Sequence, residues 1–270
     1  MRALAIHFAF EFKTGLRDPN QLMMNYLFPL AFYAMMGLVM TKINPLFTDT
    51  MMPALVIFAT LVSTLLGLPG PLVESREAGI YRSYRINGVP ATAVLLMPAL
   101  TTAFHVLLVG VIMVVTGPAF FDAVAPAHWG AFALVTLLVV FCCTGLGSLI
   151  GVIAGDSRAV VLFSQLIFLP SMLLGGLMIP LDILPRSALP FSLLLPASHA
   201  MQAYLGMAYD RATVVNPWIS VVALGVCGLL AFGLAVYLFN WDSQNRVRRG
   251  HPALALLALV PFIVTALMQL

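Results

Sequence analysis

The chain has 270 residues, of which 61% are hydrophobic and only 9% are charged, and its mean hydropathy is +1.03. A typical soluble domain contains roughly 45 to 50% apolar residues, so this composition excludes a soluble protein and predicts an all-α polytopic membrane protein. The formal net charge of +3 comes from basic residues spread over short connections, which gives no support to nucleic-acid binding.

Residues 2–17 are predicted to form an amphipathic helix that lies along the membrane surface. Apolar residues recur here at every fourth position, whereas the basic residues group on another face. The residues that carry this pattern include Phe8, Phe12, Lys13 and Arg17. An alternative stays open, in which the segment extends the first membrane span and frays into the cytoplasm.

Seven apolar runs approach the length of about 20 residues that a helix needs to cross a bilayer. In chain order they are Leu22–Met40, Met52–Leu72, Val94–Val115, Gly130–Ala154, Ala159–Ile179, Trp218–Phe239 and Pro252–Gln269. The first six predict six core spans. The last run is shorter and uncharged; we expect it to cross as a seventh span, and a helix lying along the membrane is the alternative.

The distribution of Lys and Arg indicates the orientation, because these residues accumulate in cytoplasmic connections. With a cytoplasmic amino terminus, ten of them lie inside and three outside, the three being Lys42, Arg186 and Arg211. We therefore predict that the amino terminus and the connection after the second span face the cytoplasm.

That connection is a charged island of five residues within twelve positions: Glu74, Arg76, Glu77, Arg82 and Arg85. A charge at the centre of a bilayer costs at least about 2.5 to 3.5 kcal/mol, so the island is expected at a surface. Acidic residues first and basic residues last match the dipole of a helix over residues 74–86, and Gly88-Val89-Pro90 ends it. Its apolar flank, formed by Ile80, Tyr81 and Tyr84, favours a helix that docks on a partner over a solvated connector.

Two further features concern packing and bending. Gly147, Gly151 and Gly155 recur every four residues in the fourth run, a spacing that lets membrane helices approach closely. The connection over residues 180–216 is apolar and rich in proline, so we expect it to re-enter the membrane from the outer side, surrounded by protein. Gly175, Gly176 and Pro180 are the candidate hinge at the end of the fifth run.

No catalytic or metal-binding constellation is recognisable in the sequence. There is no G-x-x-x-x-G-K-[ST] phosphate loop, so ATP binding and enzyme activity are not expected of this chain. The three cysteines lie in apolar runs. His105, the only histidine within a predicted span, is interpreted as a satisfied or pore-facing polar residue and not as a metal ligand. No span contains an interior Asp, Glu, Lys or Arg, which argues against an ion-coupled secondary carrier and for an external energy source.

Two separated segments resemble a known family. The first is Leu72-Val73-Glu74-Ser75-Arg76-Glu77-Ala78-Gly79-Ile80-Tyr81-Arg82-Ser83-Tyr84-Arg85, followed by Gly88-Val89-Pro90. The second begins at Phe168-Leu169-Pro170-Ser171 and continues through Gly175-Gly176 to Leu195-Pro196-Ala197-Ser198-His199-Ala200. Their order resembles the permease subunit of ABC-2 type transporters, the membrane subunit of a type V ABC exporter, over roughly residues 2–245.

The resemblance implies an ABC-2 type transmembrane domain over residues 1–250, with 2–17 as its elbow helix, and an additional helix over 251–270, since family members usually stop after six spans. It implies a dimer of permease chains in the plasma membrane of a bacterial or archaeal cell. Two separate ATPase subunits would hold ATP and Mg and drive the export of drugs, lipids or glycan carriers. A membrane assembly or maturation factor with the same fold is the alternative. By this resemblance the ATPase contacts are Glu74, Arg76, Glu77, Ile80, Tyr81, Arg82, Tyr84 and Arg85.

Overall fold

The computed structural model describes residues 12, 13, 15, 17–242 and 250–269. All regular structure in these residues is helical. The helices are α1 (Pro19–Ile43), α2 (Met51–Glu77), α3 (Ile80–Ile86), α4 (Ala91–Phe121), α5 (Trp129–Ile153), α6 (Ser157–Leu174), α7 (Leu189–Ser192), α8 (Pro196–Ala208), α9 (Pro217–Leu238) and α10 (Val260–Leu267).

Six of these helices are long and apolar enough to cross a membrane: α1, α2, α4, α5, α6 and α9. The predicted all-α polytopic fold with six core spans is therefore confirmed. Many apolar side chains on α1, α4, α6 and α9 are exposed, as expected for helices whose outer faces meet lipid. Hereafter the end of the bundle that carries α3 is called the α3 end, and the other is called the opposite end.

The fifth span ends earlier than the sequence predicts. The apolar run continues to Ile179, but α6 ends at Leu174, and Gly176 has a φ of 85° in the left-handed region. A left-handed residue cannot continue a right-handed helix, and glycine adopts this conformation without a Cβ penalty.

The charged island is not one helix over residues 74–86, which corrects the sequence prediction. Helix α2 continues out of its apolar run to Glu77, and α3 begins only at Ile80. Gly79 separates them with a φ of 74°, a conformation that the ordered charges on either side gave no reason to expect. The island is thus a helical elbow at Gly79, a feature separate from the predicted amino-terminal elbow helix over residues 2–17. Its acidic residues lie on α2 and its last two arginines lie on α3.

Helices α2 and α5 form the centre of the bundle. Most of the membrane-spanning part of α2 is buried, and it packs on α5 where two of the predicted packing glycines lie. A Cβ at Gly147 would collide with the Thr64 carbonyl of α2, and one at Gly151 would lie 2.8 Å from Leu72 Cδ1. Open space surrounds Gly155, so the packing interpretation does not extend to that position.

At the opposite end, α8 is inserted between other helices of the bundle. It packs against α5 and α9, and the buried Tyr204 hydroxyl donates to Thr136 Oγ1 of α5 at 2.7 Å. Ten of its 13 residues are buried. The expected re-entry of residues 180–216 into the membrane stays a prediction, and the burial of α8 is compatible with it.

The carboxy-terminal segment lies alongside α9. It consists of a 3-10 helix over Pro252–Leu259 that leads directly into α10. Gly250 lies against Leu238 at the last turn of α9, whereas Met268 shares a groove with Trp218 at its first turn. The segment therefore runs antiparallel to α9 along its whole length.

His199 of α8 joins this segment to the bundle. Its Nε2 lies 2.9 Å from the Leu193 carbonyl oxygen and 3.1 Å from Thr265 Oγ1 of α10, and its Nδ1 lies 3.2 Å from Ser220 Oγ of α9. Because a carbonyl can only accept, Nε2 carries the proton and Nδ1 accepts from the Ser220 hydroxyl. The Phe262 ring stacks on the imidazole at 4.9 Å.

Candidate functional site

The first element of the site is a buried arginine in the last turn of α2. Arg76 is only 7% exposed, and its Nη1 donates to the carbonyl oxygens of Gly151 at 3.3 Å and Val152 at 2.9 Å. Its Nη2 donates to the carbonyl of Ala154. These acceptors belong to the end of α5, where carbonyls lack intrahelical partners and a positive charge is favoured by the helix dipole.

This arrangement, hereafter the Arg76 clamp, corrects the expectation that all five charges of the island lie at the surface. The guanidinium of Arg76 is buried inside the chain, so it is not available to a partner in this conformation. The clamp fixes the end of α2 to the end of α5, and α3 begins three residues after Glu77.

Helix α3 is attached to the bundle on one side. Tyr81 is buried and its ring lies 5.5 Å from that of Phe239, just after α9, while Arg82 forms a 2.8 Å ion pair with Asp242. The Arg82 side chain is 56% exposed, and an ion pair this accessible to water contributes little to stability. Burial of Tyr81 is therefore the main attachment of α3.

The remaining face of the elbow is exposed. It carries charged residues of both signs together with two aliphatic side chains, Ile80 at 43% and Ile86 at 80% exposure. Tyr84 is half-buried beside Tyr81. The exposed face, hereafter the elbow surface, consists of Glu74, Glu77, Ile80, Arg82, Arg85 and Ile86.

The structure brings the predicted coupling residues together but separates the other predicted sets from them. Phe12 stacks on the His105 imidazole of α4 at 4.9 Å, and Lys13 and Arg17 are exposed; Phe8 lies outside the described residues. The predicted hinge residues Gly175, Gly176 and Pro180 lie at the opposite end, where the Ser192 hydroxyl donates to the Leu174 carbonyl at 2.7 Å; their role as a hinge stays a prediction.

Sequence reasoning missed two residues of this region. Ile86 ends α3 and is the most exposed apolar side chain of the elbow surface. Its signal was an isoleucine directly after the last arginine of a charged segment. Asp242 could have been found because the orientation predicted from Lys and Arg puts the end of the sixth span on the same side as Arg82.

Comparison with known proteins assigns the chain to a family. A family profile described as ABC-2 type transporter matches residues 2–209. The chain belongs to the ABC-2 type transporter family. No curated protein and no solved structure matches it.

The ABC-2 transporter family identifies the chain as the permease component of an ABC transporter, and the six apolar helices make it a multi-pass membrane protein. The membrane domain of such a transporter is not itself catalytic, and the family generally pairs with an ABC ATPase subunit. Within the described ranges of this permease, no group of three His, Cys, Asp or Glu is placed to hold a metal ion.

Replacing Arg76 with Gln is expected to destabilise the permease, because shortening and neutralising the side chain leaves buried carbonyls of α5 without their charged donor. Lost hydrogen bonds to a charged group cost about 1.5 to 3 kcal/mol each. The unfolding midpoint in detergent should fall clearly for Arg76→Gln and stay unchanged for Arg85→Gln, the same substitution at an exposed position nine residues later. Equal midpoints for the two variants would contradict the clamp.

Proposed function

We propose that this permease moves a hydrophobic or amphipathic substrate out of the cytoplasm, and that a separate ATPase subunit docks on the elbow surface and supplies the energy. The observation that carries the proposal is α3 itself, a short helix with one buried face and one exposed face that mixes charges with Ile80 and Ile86. A solvated connector needs neither the buried Tyr81 nor exposed aliphatic groups beside ordered charges.

The elbow surface suits a protein partner. Its two aliphatic side chains can be buried on contact, and its charges of both signs can orient the partner and disfavour wrong ones. Arg76 is buried and is therefore not part of this docking surface. Tyr81 is also buried, and it holds α3 in position by packing on Phe239. The proposed ATPase contacts are therefore the six residues of the elbow surface, Glu74, Glu77, Ile80, Arg82, Arg85 and Ile86, together with the half-buried Tyr84 beside them.

The Arg76 clamp gives a route from the docking surface into the bundle. A displacement of α3 acts at Gly79 on the end of α2, and Arg76 holds that end to α5 through three carbonyls. In this proposal α3 and the adjoining ends of α2 and α5 move as one body when the ATPase changes conformation.

A second permease chain completes the proposed transporter as a dimer. The faces of α1 and α6 are the least covered by their own chain, and they meet the second chain or lipid.

The docking proposal predicts that Arg85→Glu weakens assembly with the ATPase by about tenfold or more, because a reversed charge meets a group that was complementary to arginine. Co-purification and permease-dependent ATP hydrolysis measure this loss. Arg186→Glu is the matched control, since it makes the same charge change at an exposed position of the opposite end. Identical assembly of both variants would leave α3 as a connector only.

Arg82 needs a different design because it is paired with Asp242. Arg82→Glu alone removes this ion pair as well as any contact with the partner. Exchanging the two charges, by Arg82→Asp together with Asp242→Arg, restores the internal pair while leaving the surface charge altered. Recovery of assembly in the exchanged variant assigns Arg82 to holding α3, and continued loss assigns it to the partner contact.

The carboxy-terminal segment is proposed to cross the membrane as a seventh span, with the amino terminus in the cytoplasm. Its eight 3-10 residues and eight α-helical residues reach roughly 28 Å at about 2.0 and 1.5 Å per residue, close to the roughly 30 Å thickness of the hydrocarbon core. Its antiparallel course beside α9 supports this proposal, and so do the exposed apolar side chains of Leu256, Val264 and Leu267.

An epitope placed after Leu270 is therefore expected to be reached only from outside the cell. The physical reason is that an uncharged apolar segment next to a span gains by insertion, while Arg246, Arg248 and Arg249 hold its start in the cytoplasm. An epitope before Met1 in the same cells serves as the control and should be reached only after permeabilisation. A tag after Leu270 that also requires permeabilisation would contradict the seventh span.

A further inference from the structure

A cavity of about 370 Å³ opens at the α3 end between the start of α1, the end of α2, α3 and the start of α4. Several of the residues in its walls are polar. They include Asp18, Gln21, Asn25, Glu74, Ser75 and Thr102. No Lys, Arg or His is among the described residues that line it.

Asn25 lies in this wall and is 5% exposed, and its Oδ1 has no hydrogen-bond partner among the described residues. Leaving a buried acceptor unpaired is unfavourable, so an unpaired amide oxygen in a cavity wall points to a donor supplied from elsewhere. Neither the elbow surface nor the Arg76 clamp uses this residue.

The backbone around Asn25 is also irregular. Residues Met23–Leu27 of α1 form a π-helical turn, and it packs against a second π-helical turn over Val62–Gly67 of α2. Ser63 Oγ donates to the Met24 carbonyl at 3.3 Å. Turns of this kind occur frequently at functional sites, and two of them in contact beside an unpaired side chain indicate a built site.

The charges of the cavity select the ligand. Asp18 and Glu74 contribute two carboxylates, Asn25 contributes an unpaired acceptor, and Tyr81 and Tyr84 add aromatic rings 6.3 Å apart. All these groups attract a cation that carries N–H donors, by ion pairing, hydrogen bonding and interaction with the aromatic faces. An anion would meet carboxylates, with no balancing basic residue among the described residues of the lining.

We propose that this cavity binds the protonated amine head of an amphipathic molecule that arrives from the cytoplasmic side of the membrane. The same stretch of α1 exposes Met23 and Leu27, which can contact the apolar part of such a molecule. The inference rests on the proposed export function and specifies the class of its substrate as an amphipathic amine.

The test measures binding to the full chain in lipid nanodiscs without any ATPase. The probe is dansylcadaverine, a fluorescent primary amine, and its N-acetylated form is the uncharged control; empty nanodiscs give the partition background. The amine is expected to bind saturably and at least about tenfold more tightly than the acetylated form, since acetylation removes the charge that strengthens its hydrogen bonds to the carboxylates.

Two variants address the site directly. Glu74→Gln removes an exposed carboxylate without disturbing packing and should weaken binding several-fold, whereas Asn25→Asp places a charge at the unpaired acceptor and should tighten it. Asp182→Asn removes a carboxylate at the opposite end and should change nothing. Equal affinity for the amine and its acetylated form, or no effect of Glu74→Gln, would overturn the inference while leaving ATPase docking on α3 untouched.

Discussion

The end of α5 sets the constraint on which the α3 end of the molecule depends. Carbonyls that a helix end leaves unpaired, and that are buried away from water, must find their donors within the protein. Here the Arg76 guanidinium donates to the carbonyls of Gly151, Val152 and Ala154. Arg76 is the next-to-last residue of α2. The hydrogen bonds that it donates to the α5 carbonyls therefore also fix where α2 ends and where the elbow at Gly79 begins.

A second polar centre plays a comparable part at the opposite end. His199 contacts the Leu193 carbonyl, Ser220 and Thr265 at 2.9 to 3.2 Å, and so joins α8, α9 and α10. Between the two centres the helices pack through small residues, with Gly147 against the Thr64 backbone and Gly145 near the Gly228 carbonyl. The bundle is thus held by polar contacts at its ends and by close packing in its middle.

The spans were predictable from the sequence because apolar runs of sufficient length have few alternatives in a bilayer protein. The elbow was not, because the order of charges between Glu74 and Arg85 fits one helix as well as two, and only the backbone of Gly79 distinguishes them. The burial of Arg76 could not be predicted from the sequence either. Its partners lie 75 to 78 residues away and are backbone carbonyls, which every residue has, so no residue type indicates them.

The candidate sites differ in the same way. The exposed charges and aliphatic groups of α3 are local features, and the sequence predicted most of them. The cavity around Asn25 depends on the meeting of α1, α2, α3 and α4 and on two π-helical turns. A lone asparagine inside an apolar run gives no indication of what faces it, so this site required the structure.

The central claim is that α3 and the ends of α2 and α5 move as one body through the Arg76 clamp. Spin labels on Ser83→Cys and Gly155→Cys, both at exposed positions, measure the distance between α3 and the end of α5 in the assembled transporter; the native cysteines are buried. The account predicts one narrow distance distribution that does not shift when the ATPase binds ATP, and a broader one after Arg76→Gln. A shift of about one helical turn, roughly 5 Å, in the otherwise unaltered permease would contradict it.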